Sequence, residues 1–369
     1  MVAPPDRLAQ LTGMGVSVWL DDIGRSRLAG GGLAALVRDF HVSGVTSNPP
    51  IFAKALSDVP AYAADLDDLA ARGATAEEAV RALTTNDVRW ACDILRPVHE
   101  ASDGVDGRVC IEVDPRFARD TRATVAEARA LWWAVDRPNL FIKIPATAEG
   151  LPAVTQCLSE GISVTVTLVF SLRRYGEVVD AFMAGLERSA GPERAGASTA
   201  AFFVSRLDGE VDARLDKLGT PEAAALRGQA GIANARLAHE LLQQRLATPR
   251  WAALEARGFR PQRLLWASTS AKDPAMADTA YVTELAAPGT INTLAESTLL
   301  AVADHGEFRG DAISGGYAEA RRVFDRLAAL GVPYDEVTEA LEEQNVRRFT
   351  VAWADLLERI GAELTARRS

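Results

Sequence analysis

Cysteine is scarce in this 369-residue chain: Cys92, Cys110 and Cys157 are an odd number, widely separated and without a CxxC pair. That pattern excludes a disulfide framework and points to a reducing cytoplasm. Histidine is nearly as rare. His41, His99, His239 and His305 share no HxxxH spacing and have no cysteine partners nearby, so no metal site is expected. No apolar run approaches the roughly 18 residues of a membrane span, and the opening segment MVAPPDRLAQLTGMG lacks a basic region followed by an apolar one. Neither export nor membrane insertion is expected. Cations are outnumbered: 40 Lys and Arg against 50 Asp and Glu leave a net charge of -10. A nucleic-acid surface needs clustered Lys and Arg, so that class of partner is excluded, while a small anion can still bind where a few cations converge. The GGG at Gly30 to Gly32 has neither a Walker lysine nor GxGxxG spacing and reads as a turn.

What is present is ample apolar material, 48% of residues, distributed in a recurring pattern that a single large barrel domain can bury. Short β-rich runs alternate with stretches whose apolar residues recur at three- and four-residue intervals. Eight such runs are found: VSVWLDD (16 to 22), GVTSNP (44 to 49), RVCIEVDP (108 to 115), LFIKIPAT (140 to 147), ISVTVTLVF (162 to 170), TAAFFVSRLD (199 to 208), RLLWASTS (263 to 270) and YVTELAAPGTIN (281 to 292). Several are almost wholly apolar, as parallel strands covered on both faces should be. The pattern predicts an α/β fold, a (β/α)8 TIM barrel with additional helices, with a doubly wound open sheet as the alternative. The stretch about 54-107 is too long for one crossover helix and reads as a helical insertion. A C-terminal helical extension of two or three helices is expected over about 317-369, the last two beginning near Pro333 and Asn345. Trp132 and Trp133 fall on a helix-like segment and read as packing residues.

In a barrel of this kind chemistry sits at the C-terminal ends of the strands. Lys143, in NLFIKIPAT, is flanked by Phe141, Ile142, Ile144 and Pro145, so its amine is expected inside the barrel. Burial disfavours an ammonium and favours the neutral amine that attacks a carbonyl; the same lysine could instead pair with a buried carboxylate and do no chemistry. Asp21 and Glu112 follow β-rich runs and are candidates for the proton transfers of imine chemistry, or for partners of Arg206. Arg206, in FFVSRLD, suits a phosphate by its planar fork of donors, or an ion pair with Asp208.

Taken together, SVWLDDIGR, GVTSNPPIFAKAL, CIEVDPRFARDT, LFIKIPATAEGLPAV, ISVTVTLVFS, FFVSRLDGEVD, LWASTSAKDP and YVTELAAPGTINTL resemble the transaldolase family, in its bacterial branch with a helical insertion after the second strand. The resemblance implies a Schiff base on Lys143, Asp21 as acid and base at the bond being cleaved, and Glu112 with Thr167 positioning a water. It implies Asn48 and Thr46 as holders of sugar hydroxyls, with Ser268 and Phe203 also substrate-binding. Arg206 is implied as the phosphate-binding residue, with Lys272 as the candidate second cation. The implied substrates are phosphorylated sugars: a dihydroxyacetone unit passes from sedoheptulose 7-phosphate or fructose 6-phosphate to an aldose phosphate, as in the pentose-phosphate pathway. No cofactor is implied, and the chain is expected to act as a monomer or homodimer. Two departures stand out: the family's TTNPS is TSNPP here, with Ser47 and Pro50 at the changed positions, and its sixth-strand serine is Ala201. These keep open a specialised enzyme with another acceptor, or an aldolase that releases dihydroxyacetone. A sugar-phosphate-binding barrel without activity is the reading outside catalysis.

Overall fold

The computed structural model describes residues 6–368, so Ser369 and the first five residues of the opening segment lie outside the described residues. Eight parallel strands close into a barrel in chain order. They are β1 (Ser17–Leu20), β2 (Val42–Val45), β3 (Arg108–Glu112), β4 (Leu140–Pro145), β5 (Val164–Val169), β6 (Ser198–Phe203), β7 (Arg263–Ala267) and β8 (Ile291–Leu294). Pairing of β1 with β8, Ser17 opposite Ile291 through Leu20 opposite Leu294, closes the ring and removes both sheet edges. The expected (β/α)8 class is therefore the observed one, and an open sheet is excluded.

The strands are short and rich in Val, Ile, Leu and Phe because both faces are covered: β3, β4, β5 and β6 are buried at every position. Outward side chains such as Val109, Ile142 and Val166 pack with the surrounding helices. Inward ones form a separate core of Trp19, Cys110, Phe141, Leu265 and Ile291. Trp19 fills the lower barrel beside Phe141, its ring centroid 6.4 Å away. Gly44 on β2 makes that possible, since a Cβ there would stand 2.4 Å from the indole. The indole N–H donates to Asp106 at 3.0 Å, and Asp106 also accepts from Ser17 and Arg263. These polar groups close the end opposite the strand C-termini.

Two run boundaries differ from the sequence reading. The eighth run is mostly not strand: Ala280–Thr283 is a short helix, and Pro288 with Gly289 at φ 81° turns the chain before β8 begins at Ile291. The sixth strand stops at Phe203, and a helix starts at Ser205, so Arg206 lies in a first helical turn.

Between β2 and β3 run the helices Pro49–Ala55, Ala63–Ala71 and Ala76–Ala101. The last begins with a capping box in which Thr75 and Glu78 satisfy each other's backbone N–H. Asp87 of this helix accepts from Arg25 at 2.6 Å and from Tyr62 Oη at 2.6 Å, tying the segment to the loop after β1.

After β8 the chain forms Glu296–His305, Tyr317–Ala329 and one helix of 35 residues, Tyr334–Arg368. No new helix starts at Asn345. Its side chain donates to Leu341 O one turn back, a pattern of helix interiors rather than of caps. The long helix is tied along its length. Tyr334 donates to Asn234, Trp353 to Asp114 and Arg359 to Ala53 O. No helix among the described residues is long and apolar enough to cross a membrane.

Candidate active site

At the strand C-termini lies a cavity of about 200 Å³, lined among others by Asp21, Thr46, Asn48, Lys143, Thr167, Phe203, Arg206 and Ser268. Residues separated by more than 240 positions in sequence thus converge, as barrel closure requires. Lys143 stands inward on β4, its side chain only 5% exposed. Its Nζ donates to Ser47 O at 2.9 Å and lies 3.3 Å from Glu112 Oε2. Register explains the second contact: Glu112 on β3 is the direct partner of Lys143 on β4, so both project inward side by side.

Burial pushes the Glu112 carboxyl up to about 7, against the opposing pull of the Lys143 charge. Neither carboxyl oxygen meets hydrogen-bond geometry with any protein group, and the buried Thr167 hydroxyl has no partner either. Unsatisfied polar atoms at this depth are costly unless something else pairs with them. Thr167 occupies an irregular part of β5, where pairing with β6 shifts between Val166 and Val169 and Leu168 adopts φ 59°. A left-handed Leu is strained, and the strain sits beside a residue facing the cavity. Ser268 is likewise left-handed, at φ 57°, and shares a 2.9 Å hydrogen bond with Ser205.

Asp21 accepts from Thr46 Oγ1 at 2.6 Å. Thr46 also lies 2.6 Å from Thr293 Oγ1 on β8. With the single Thr46 proton committed to the carboxylate, Thr293 must donate to Thr46, giving a directed chain from β8 through β2 to β1. Burial raises the Asp21 pKa, and this outweighs the Thr46 hydrogen bond and the charges of Lys143 and Arg206. Asn48 caps the helix Pro49–Ala55 by accepting from Ile51 N at 3.0 Å, which uses its carbonyl oxygen and leaves its NH₂ group for the cavity.

Arg206 lies over the edge of the cavity with its guanidinium carbon 5.9 Å from the Phe203 ring centroid. Asp208 is not its partner: that carboxylate accepts from Tyr281 Oη and from Gly231 N. Burial first, then the neighbouring Arg348 charge, lower Arg206 to about 10. Lys272 is exposed in the segment after β7 and is absent from the cavity lining.

Known proteins resemble the chain over nearly its whole length. Residues 18–360 match the family model described as Transaldolase/Fructose-6-phosphate aldolase. A protein named Transaldolase from Acidothermus cellulolyticus is 60% identical over 366 residues, covering 98% of each chain. Transaldolases from Thermobifida fusca and Frankia alni are 58% and 59% identical, each match covering 97% of this chain and 98% and 97% of the relative. The chain belongs to the transaldolase/fructose-6-phosphate aldolase family.

Within this family member, the departures noted in sequence differ in what they touch. Pro50 and Ala201 line the cavity. Ser47 does not: its hydroxyl donates to Cys110 O at 2.7 Å inside the barrel. Sequence reasoning also missed Thr293, Arg348 and Phe349, all in the lining. Thr293 follows a β-rich run whose register had been set too early. Arg348 and Phe349 lie in the C-terminal helix, where no strand-end argument reaches.

Proposed function

We propose that this member of the transaldolase family transfers a dihydroxyacetone unit between phosphorylated sugars through a Schiff base on Lys143. The observation that carries the reading is a buried lysine 3.3 Å from a carboxyl group and sharing its cavity with Asp21. Neutral Lys143 attacks the C2 carbonyl of fructose 6-phosphate or sedoheptulose 7-phosphate. Glu112 and Thr167 hold the water through which protons move, and loss of one water from the carbinolamine leaves a cationic imine. Asp21 then takes the C4 hydroxyl proton. The C3–C4 bond breaks, its electron pair passes into the imine, and an aldose phosphate leaves while the enamine remains on Lys143. An acceptor aldose phosphate enters, and the steps reverse on its aldehyde.

Asn48 and Thr46 hold hydroxyls of the three-carbon unit, with Ser268 and Phe203 along the remaining wall, and Arg206 takes the phosphate. No cofactor has a part in these steps, and every group named belongs to one chain. The three free, buried cysteines fit a reducing cytoplasm. The test is borohydride reduction in the presence of fructose 6-phosphate. A stable adduct mapped to Lys143 is expected, and substantial trapping at another lysine overturns the assignment. An aldolase reading is separated by products: free dihydroxyacetone accumulating in the presence of erythrose 4-phosphate, without transfer, would favour release over transfer.

A further inference from the structure

Thr293 on β8 pairs with Trp19 on β1, and Trp19 with Gly44 on β2. Alternate residues of a strand share a face, so Asp21 and Thr46 follow two positions further along the inward faces of their strands. Thr46 and Thr293 thus come from strands on either side of β1. Both are buried, and their hydroxyls lie 2.6 Å apart. Thr293 also lines the cavity, and its carbonyl accepts from Thr269 Oγ1 at 3.0 Å, which pins β8 at this residue to the segment after β7.

Among the described residues Thr46 is the one side chain that hydrogen-bonds to the Asp21 carboxylate. The charged groups around that carboxylate are Lys143 on β4, Glu112 on β3, Arg206 after β6 and the adjoining Asp22, and they act on it through their fields. A carboxylate held by one hydroxyl is oriented no better than that hydroxyl, which turns about its C–O bond unless a second group fixes it. Thr293 is that second group. A donor into the Thr46 oxygen commits the Thr46 proton to Asp21 Oδ1 and polarises the bond it makes there. Oδ1 is then occupied. Oδ2, which accepts from no protein group among the described residues, is the oxygen left for a substrate proton.

We propose that Thr293 is a positioning residue for the transfer: through Thr46 it holds Asp21 with Oδ2 turned toward the C4 hydroxyl of the bound ketose. The proposal rests on the reading of Asp21 as the base at C4. Its test is single-turnover release of the aldose phosphate from fructose 6-phosphate, measured across pH in the full chain. Thr293→Val should slow release about 2- to 10-fold, the range of one neutral hydrogen bond lost in the transition state. KM for fructose 6-phosphate and the rate of borohydride trapping on Lys143 should stay near the parent values. A weaker hydrogen bond to the ionised form raises the pKa of a carboxyl, so the acid limb of the release profile should move up by about half a unit. Thr293→Ser, which keeps the donor, should restore both rate and profile. A Val methyl cannot sit at the 2.6 Å of the present contact, so Thr293→Ala is measured beside it and carries the comparison if Thr293→Val does not fold. In an Asp21→Asn background the same substitution at Thr293 should have no further effect, because the base it positions is gone. Release at the parent rate and with the parent profile in both Thr293→Val and Thr293→Ala overturns the proposal. A loss that Thr293→Ser does not recover, that falls equally on trapping, or that persists in the Asp21→Asn background also overturns it and marks a structural role. Asp21→Asn cleaving at the parent rate would instead remove the reading of Asp21 on which the proposal stands, an outcome read without any change at Thr293.

Discussion

Glu112 shows how far a single side chain can be taken from its solution behaviour by position alone. Its ordinary pKa is 4.5, and in the folded protein burial holds it near 7. Between those values the folded state keeps a proton that the unfolded chain has lost, so stability falls as pH rises through the window, and the favourable contribution is gone above it. Glu112→Gln cannot ionise. Its melting temperature relative to the parent should therefore rise between about pH 5 and about pH 8, by several degrees, while its rate of imine formation drops. Equal differences in melting temperature at the two pH values would show that the carboxyl is not held protonated. Asp21→Asn should behave differently in kinetics. It keeps the shape that accepts from Thr46 but loses the base, so single-turnover cleavage should slow by about 10²- to 10⁴-fold while trapping on Lys143 persists. Cleavage at the parent rate would remove Asp21 from that role. At the cavity wall, Ala201→Ser adds a hydroxyl where the lining has only a methyl. A hydrogen bond to a neutral sugar is worth about 0.5 to 1.5 kcal/mol, so the change should alter KM for erythrose 4-phosphate several-fold, and an unchanged KM for every acceptor tried would detach the position from specificity.

Elements were legible in the sequence where a local rule governs them. Lys143 could be placed inside the barrel because it sits within an almost wholly apolar strand, and Glu112 because it follows a β-rich run; that the two are direct register partners is visible only in the fold. Arg206 was found, though on a helix rather than a strand end. What stayed hidden depended on contacts between distant segments. The eighth strand was drawn too early because Tyr281 and Val282 are as apolar as strand residues, yet they pack from a one-turn helix, and a short apolar run does not distinguish the two. Arg348 was invisible because only the path of a 35-residue helix over the barrel brings it to the cavity. Gly44 marks the same limit inside β2: nothing local says that its missing Cβ accommodates Trp19 from β1. Gly44→Ala forces a methyl to within 2.4 Å of the indole, and overpacking of this kind commonly costs about 1 to 3 kcal/mol. Urea denaturation should show a lower midpoint with an unchanged slope; no change in midpoint would mean that the indole has free room to move.

At the scale of the whole molecule, the helical segment between β2 and β3 is bound to the catalytic end of the barrel through buried charge. Arg25 lies four residues after Asp21 and reaches both Asp87 at 2.6 Å and Asp65 at 2.5 Å, while Tyr62 donates to Asp87 and accepts from Arg25 N. The Asp87 side chain is 2% exposed. Removing Asp87 takes the acceptor from Tyr62 Oη and from Arg25 Nε, while Asp65 still pairs with Arg25, so the cost should fall below the roughly 3 to 5 kcal/mol of a wholly uncompensated buried charge. Because the network joins the two parts, Asp87→Ala should lower the stability of both together, and denaturation followed by fluorescence and by circular dichroism should remain one coincident transition. The loop carrying Arg25 also continues from Asp21, so loosening it should disturb the Asp21 position more than the Lys143 strand. kcat for transfer should then fall by more than the rate of trapping on Lys143. Two separate transitions would show that the segment unfolds independently of the barrel, and equal losses in transfer and trapping would show that the network steadies the whole site without favouring the loop after β1.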